Sequence, residues 1–402
     1  MNDRRERPMN LAPASVMDYR ELARKKMPRQ LFDYIDGGAY AEKTMVANVE
    51  DLRTIHLRQR ILRDVSNIDL SADVLGERLS LPVVLGPVGL GGMYNRRGEV
   101  QAARAAEREG VRFCESTLSI CSIEEVKDAT SVPLWFQLYI IRDRAYAVDL
   151  MERARAAGCS VLVLTVDLAV VGARYRDTRN GMTDPIPTTK KLVRAWDIFS
   201  HPGWVWNVAI RGKPLTFGNL EGAVPGASSP ADFRAWVESQ FDPSVTWDDL
   251  AWIRKHWPGK LVLKGILDVE DAKRATSVGA EGIVVSNHGG RQLDDVRSTA
   301  SALPPIVEAV GDRLEVLVDG GIRSGLDVVK MLSLGAKACL LGRAWAYALG
   351  GGGEEGVAHV LRVIREEMKV AMALTGNTRL ADLGPEVLDR STPASSRGAA
   401  SG

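Results

Sequence analysis

The 402-residue sequence predicts a TIM (β/α)8 barrel with an N-terminal helical leader at 1–78 and a long insert, 177–243, after the fourth strand. Three observations carry that expectation. From Leu81 to about residue 376, eight short apolar runs alternate with longer helical patterns: "LPVVLGP", "VRFCEST", "PLWFQLYI", "SVLVLTVD", "KLVLKG", "GIVVSNHG", "LEVLVDGG" and "ACLLGRA". Such alternation implies parallel strands, and eight is the number at which they close. Several helices also pass directly to the next strand through a glycine suited to a left-handed cap, at Gly110, Gly158, Gly279 and Gly335. Finally, no GxGxxG follows the first strand, which counts against a doubly wound sheet.

The remaining elements fall around that frame, and 1–402 reads as a single domain. Residues from about Ser15 to Lys25 predict a helix, and "LFDYIDGGAY" ends a second one at Gly37 and Gly38. The insert is far longer than an ordinary βα connection, so it predicts a lid, a binding loop or disorder. "LGGGGEEG", Leu349 to Gly356, reads as a flexible joint before the last helix, and 385–402 as a flexible tail.

Composition excludes several classes of function. Hydrophobic residues at 45% and charged residues at 26% are ordinary for a globular chain, and a formal charge of +1 gives no global attraction to nucleic acid. Cys114, Cys121, Cys159 and Cys339 lack CxxC spacing, so they predict core packing in a reducing compartment and no metal framework. The N-terminal "MNDRRERPMNLAPAS" has no secretory pattern, and no apolar run is long enough to span a bilayer, so a cytoplasmic protein is expected.

Closing eight parallel strands would bring their C-terminal ends to one rim, where barrel enzymes keep their chemistry. The polar residues there are Gln137, Tyr139, Thr165, Asp167, Lys264, Ser286, His288, Arg291, Asp319, Arg323 and Arg343. Taken singly each has a plainer reading, as a strand end, a solvated cation or a turn former. Together they suggest a site. Arg323 and Arg343, with Gly320, Gly321 and Gly342, follow the seventh and eighth strands, where barrels commonly bind phosphate through backbone N–H groups and a helix N-terminus. Plain turn glycines are the alternative. Arg291 has the fork geometry to hold a carboxylate, His288 can remove a proton near neutral pH, and Asp319 is expected to hold the imidazole. The other histidines show no ligand spacing, so no metal is expected.

These residues carry a family resemblance. "SNHGGRQLD", "WFQLY", "LTVD", "LVLKG", "LVDGGIRSG" and "LLGRA" resemble the FMN-dependent α-hydroxy-acid dehydrogenases and oxidases, over Met17 to about Thr375. "DGGAY", "GPVGLGGMYNRRGEVQAA", "GARYRD" and "FDPSVTWDDL" are most similar to the bacterial respiratory L-lactate dehydrogenases. The resemblance implies FMN lying against Pro87, Val88 and Gly89, touched by Ser116, Gln137, Thr165 and Ser286. It implies Lys264 beside the flavin N1 and C2 oxygen, and phosphate held by Asp319 to Arg323 and by Arg343. It implies Tyr34, Arg174 and Arg291 on the substrate carboxylate, Tyr139 near its hydroxyl, and His288 as base in either a hydride or a carbanion route. Leu118 and Val171 would line the side-chain pocket, suiting lactate without excluding mandelate. An FMN-dependent isomerase or a non-catalytic phosphate-binding barrel are the rival classes.

The insert contains a second signal. "KKLVRAWDIF" puts Leu192, Val193, Trp196 and Phe199 on one helical face, and "HPGWVWNVAIRGK" adds Trp204, Trp206 and Ile210 with cations in excess. A lid or subunit contact would bury that face, whereas a membrane interface would use it as it stands. The resemblance favours the membrane. It implies a peripheral protein on the cytoplasmic side of the inner membrane, touching it through 190–213, passing electrons to quinone and forming a homo-oligomer, a tetramer in that family.

Overall fold

The computed structural model describes residues 12–182, 187–223 and 239–389. Eight parallel strands close into a barrel: β1 (Val83–Leu85), β2 (Arg112–Ser116), β3 (Trp135–Tyr139), β4 (Val161–Thr165), β5 (Lys260–Ile266), β6 (Gly282–Val285), β7 (Glu315–Val318) and β8 (Ala338–Leu341). Seven of the predicted runs contain their strand whole, and β5 runs one residue past "KLVLKG" to Ile266. They read as continuous apolar stretches because both faces are buried, one in the lumen and one under helices. Val84, Cys114, Trp135, Val163, Val262, Val284 and Leu317 fill the lumen. The four cap glycines all have positive φ, from 69° to 105°, as the helix-to-strand turns require. All four cysteines are buried and free.

The leader does two jobs. Its helices α1 (Val16–Lys26), α2 (Arg29–Asp36) and α3 (Lys43–Thr54) sit on the barrel, with α1 started by a capping box between Ser15 and Asp18. The end of the predicted helical leader is instead a hairpin, Ala72–Val74 paired with Glu77–Leu79 around Leu75 and Gly76. Ala72, Val74, Leu75 and Leu79 pack into the lumen cluster from the N-terminal end. Glu77 accepts from Trp135 Nε1 at 3.2 Å, and Leu75 N donates to Glu315 at 2.8 Å. The barrel floor is thereby closed, leaving the opposite rim as the open mouth.

Two expectations need correction. The glycine-rich stretch Leu349 to Gly356 is a packed kink rather than a flexible joint: within Arg343–Thr375 two helices meet at Gly353, whose φ of 63° and ψ of −150° are not helical, and Gly350, Gly351, Gly353 and Gly356 are buried. The glycines let α1 approach that helix closely, since a Cβ on Gly350 would fall 2.3 Å from Met27 Sδ. The predicted flexible tail also begins with structure, because Leu388–Asp389 pairs with His56–Leu57. Residues 390–402 lie outside the described residues.

Asp36, at the end of α2, ties the leader to the rim. It is buried and accepts from Arg20 (2.6 and 2.9 Å), Arg176 (2.8 Å) and the Tyr347 hydroxyl (2.7 Å). Burial alone would raise its carboxyl, but these partners outweigh that and hold it at about 2. Its stabilising contribution is therefore full above the ordinary carboxylate value of 3.8 and is lost as pH falls toward 2. Asp36→Ala is expected to cost roughly 3 kcal/mol in a urea titration at neutral pH, because two arginines lose a buried partner while keeping some contact with water.

Candidate active site

The strand ends converge on one cavity of about 880 Å³. Tyr34, Tyr139, Arg174, His288 and Arg291 line it, as do Pro87, Val88, Gly89, Ser116, Thr165 and Lys264. So do Asp319, Gly320, Gly321, Arg323, Gly342 and Arg343. Gln137 and Ser286 stand just behind that wall. Gln137 Oε1 accepts from Ser116 Oγ at 3.1 Å, and Ser286 Oγ accepts from Lys264 Nζ at 3.0 Å. Closure of the barrel thus gathers residues that the sequence spreads over more than 300 positions.

His288 sits in the turn after β6 with φ 57°, a left-handed conformation uncommon for a side-chain-bearing residue and often found where strain serves a site. Its backbone N–H donates to Ser286 Oγ at 3.0 Å. The next turn is pinned from outside: Asn287 and Asn48 on α3 exchange two amide hydrogen bonds of 2.8 Å. The imidazole is thereby aimed into the cavity.

The imidazole partner is a correction. Asp319 does not hold His288: Asp167, two residues beyond the end of β4, lies 2.9 Å from its Nδ1, while Asp319 pairs with Lys264 at 3.1 Å. Both pairs skip one strand, β4 to β6 and β5 to β7, because side chains in a closed barrel share a layer with those of alternate strands. Burial lowers the His288 pKa, and Lys264 and Arg174 add to that, against the opposing pull of Asp167. Burial works to raise Asp167, yet His288 and Lys264 hold its carboxyl below the usual range. The resting pair is a neutral imidazole against a carboxylate, the form needed of a base.

The acid limb of substrate oxidation is expected below the ordinary histidine value of 6.5, since the base is lost only as pH falls through its depressed pKa. Asp167→Asn removes the carboxylate that raises the imidazole, so the limb moves lower still while the maximal rate drops. A pH profile of anaerobic flavin reduction for both proteins measures it.

Two guanidinium groups flank the Tyr34 ring, Arg291 at 4.8 Å and Arg174 at 6.0 Å from its centroid. Arg291 Nη1 donates to the carbonyls of Tyr34 (2.5 Å) and Gly37 (2.8 Å), and Arg174 Nε to that of Arg291 (3.2 Å). Neither forms an ion pair among the described residues. Burial and then mutual repulsion lower the Arg174 pKa. The pair is poised for an anion. Burial also raises the Tyr139 hydroxyl, which therefore stays a neutral donor.

The opposite corner suits a phosphate. The helix Arg343–Thr375 starts at Gly342 with no side-chain cap, leaving its first N–H groups free for an anion. Arg323 lies beside it over the Tyr347 ring, with no ion pair among the described residues. Arg343 is differently used: it donates to the carbonyls of Ile35 (2.9 Å), Gly289 (2.8 Å) and Gly37 (2.7 Å), and burial brings its pKa down to about 9. Its Nη2 also reaches Met45 Sδ at 3.3 Å, so it braces the wall and keeps one Nη1 N–H in reserve. Between the corners, Lys264 is buried yet its pKa is raised, because Asp319 and Asp167 overcome the burial that would lower it. The buried Gln137 Nε2 has no partner among the described residues, as expected of a donor kept for a carbonyl-bearing ring. These residues fit FMN at both its ring and its phosphate.

Sequence reasoning missed two contributions. Asp167 was placed at the rim without a role, although "LTVD" holds it. Leu168, Met182, Phe217 and Phe241 also line the cavity, and they come from loop and insert segments whose return to the rim no local pattern reveals. Leu118 and Val171 line it as expected.

Comparison with known proteins agrees. The model of the FMN-dependent dehydrogenase family matches residues 23–390. The chain is 56% identical over 380 residues to an L-lactate dehydrogenase of Caulobacter vibrioides, covering 94% of this chain and 98% of that one. It is 52% identical to an L-lactate dehydrogenase of Haemophilus influenzae, covering 93% and 98%. Among solved structures, the monotopic membrane protein (S)-mandelate dehydrogenase superposes with a TM-score of 0.88 at 38% identity, covering 94% of this chain and 99% of that one. Mandelate oxidase does so with a TM-score of 0.79 at 38% identity, covering 94% and 98%. A barrel mouth carrying an imidazole, two guanidinium groups without an ion pair among the described residues and a phosphate corner, with a match along nearly its whole length, makes this chain a member of the FMN-dependent dehydrogenase family.

Proposed function

We propose that the protein oxidises L-lactate to pyruvate with FMN as its cofactor, passing the electrons to a quinone or another respiratory carrier. The observation that carries the reading is the meeting of Arg174, Arg291 and neutral His288 in one cavity, with no carboxylate ion-paired to either arginine among the described residues. A small 2-hydroxy acid satisfies all three. Its carboxylate would bridge the two guanidinium groups beside Tyr34, and its hydroxyl would lie between Tyr139 and His288. His288 then takes a proton from the substrate, and Asp167 stabilises the resulting imidazolium. When bound, FMN supplies the two-electron acceptor. Lys264, Gln137, Ser116, Thr165, Ser286 and the Pro87 to Gly89 backbone would hold its ring. Gly320, Gly321, Arg323 and the first turn after Gly342 would hold its phosphate, with Arg343 supporting them.

Mandelate is the second reading, favoured by a cavity with apolar walls at Leu118, Leu168, Phe217 and Phe241 and by the fold shared with mandelate enzymes. Anaerobic titration of the yellow protein with L-lactate, mandelate and glycolate decides. L-lactate should bleach the flavin fastest; faster bleaching by mandelate would replace the first reading with the second.

The insert supports work at a lipid surface. Its helix, Thr188–Phe199, turns the apolar face outward: Leu192, Val193, Trp196 and Phe199 are 69–76% exposed, and Trp206 and Ile210 extend the ridge. The opposite face, through Lys191, Arg194 and Ile198, lines the cavity. Among the described residues no helix is long and apolar enough to cross a membrane. Contact would then be peripheral, on the cytoplasmic side by the family resemblance, and a lipid-soluble acceptor would approach on that face. A homo-oligomer with its insert ridges on one side fits the same reading. Trp196→Ser/Phe199→Ser should abolish sedimentation with vesicles and leave reduction by L-lactate in solution unchanged.

A further inference from the structure

We propose that a second cavity, between the end of α1 and the insert, binds the phosphate of an anionic phospholipid whose acyl chains run along the insert ridge. The proposal rests on the lipid-surface reading above and adds a specific ligand site to it. The cavity, of about 560 Å³, is lined by Lys25, Lys26, Ser200, His201, Asn207 and the backbone of Gly350 to Gly353. Among the described residues no aspartate or glutamate lines it. Neither lysine forms an ion pair among the described residues, and Lys26 Nζ donates only to the carbonyl of Gly351, at 2.6 Å.

Cations in the last turn of α1 complement the helix dipole, and Arg24 does so while paired with Glu21. That accounts for the charge of Lys25 and Lys26 but not for an acid-free cavity beneath them. The glycines that seat α1 against the last helix also leave this concavity, since Gly350 to Gly353 present backbone rather than side chains to it. Ser200 Oγ already donates to the Asp197 carbonyl (2.7 Å), His201 Nδ1 meets the same carbonyl (2.7 Å) and Asn207 Nδ2 donates to Asn95 Oδ1 (2.7 Å). The two ammonium groups, unpaired with acids among the described residues, are therefore joined by His201 Nε2 and the second Asn207 N–H as the donors left for a compact anion.

Its position selects the source of that anion. Ser200 and His201 in the wall directly follow Phe199, the last residue of the exposed ridge, so an occupant's phosphate and the ridge are one residue apart along the chain. On the other side, Pro202, Gly203 and Asn207 lead to the exposed Trp206 and Ile210. A ligand with an anionic head and two apolar tails meets both features at once. A free phosphate would use only the first.

The test uses the FMN-loaded, full-length protein and vesicles of phosphatidylcholine alone or mixed with phosphatidylglycerol, at constant salt. Lys25→Gln/Lys26→Gln should bind the mixed vesicles roughly thirtyfold more weakly than the parent, the ~2 kcal/mol expected of two lysines at an anionic surface, with phosphatidylcholine binding unchanged. Lys25→Gln alone should lose about fivefold, which guards against a packing effect at Lys26. Arg211→Gln/Lys213→Gln removes the same charge from the insert outside the cavity and should lose clearly less. Equal losses in the two double variants would reduce the effect to diffuse attraction and overturn the site. Displacement of the mixed vesicles by millimolar inorganic phosphate would overturn the lipid assignment. If the parent protein binds neither vesicle, the lipid-surface reading fails as well; if it binds both equally, only this site fails.

Discussion

His288→Ala is expected to bind FMN normally and to reduce it with L-lactate about 10²- to 10⁴-fold more slowly, the range a positioned general base contributes. The groups that fit the cofactor do not depend on the imidazole: Lys264 is held by Asp319 and Ser286, and Arg323 and the uncapped helix end lie in the opposite corner. Loss should therefore fall on the chemical step. Because residue 288 has φ 57°, alanine adds backbone strain there, so His288→Asn, which tolerates that conformation better, is the companion variant. Anaerobic stopped-flow reduction measures both. Parent-like rates in the asparagine variant would remove His288 from the reaction.

Arg291→Lys is expected to lower kcat/KM for L-lactate by about a hundredfold, within the 2–5 kcal/mol typical of truncating a buried charge-assisted pair. Lysine keeps the positive charge but loses the planar fork, so a small effect would mean that charge alone suffices. Arg291 also donates to the carbonyls of Tyr34 and Gly37, and its loss would loosen the end of α2. Retained flavin content and an unchanged urea midpoint separate substrate binding from that structural part. Arg174 contacts the same ring from farther away and among the described residues donates to Arg291 O and Gln292 alone, so Arg174→Lys should show a smaller loss of the same kind.

The sites differ in how readily the sequence reveals them. His288 and Arg291 stand in one nine-residue stretch after a strand, and a closed barrel must deliver that stretch to its mouth. Tyr34 and Arg174 lie off the strand ends, and only the family resemblance pointed to them. The structure brings both to the cavity through α2 and the short helix Tyr175–Arg179, joined by the ion pairs of Asp36 and Arg176. The insert helix was legible as amphipathic, yet amphipathicity does not say which side faces the protein.

The sequence by itself determined the barrel, its rim and the chemical character of that rim, because parallel strands buried on both faces write themselves as apolar runs and chain order dictates which ends meet. Tertiary structure decided which carboxylate serves the imidazole, since Asp167 and Asp319 both follow strands and only the layering of alternate strands pairs one with His288 and the other with Lys264. It also decided that a glycine run is a helix seam and that the insert's tryptophan face points to solvent. Both depend on what packs against a segment from far along the chain, which no local pattern records.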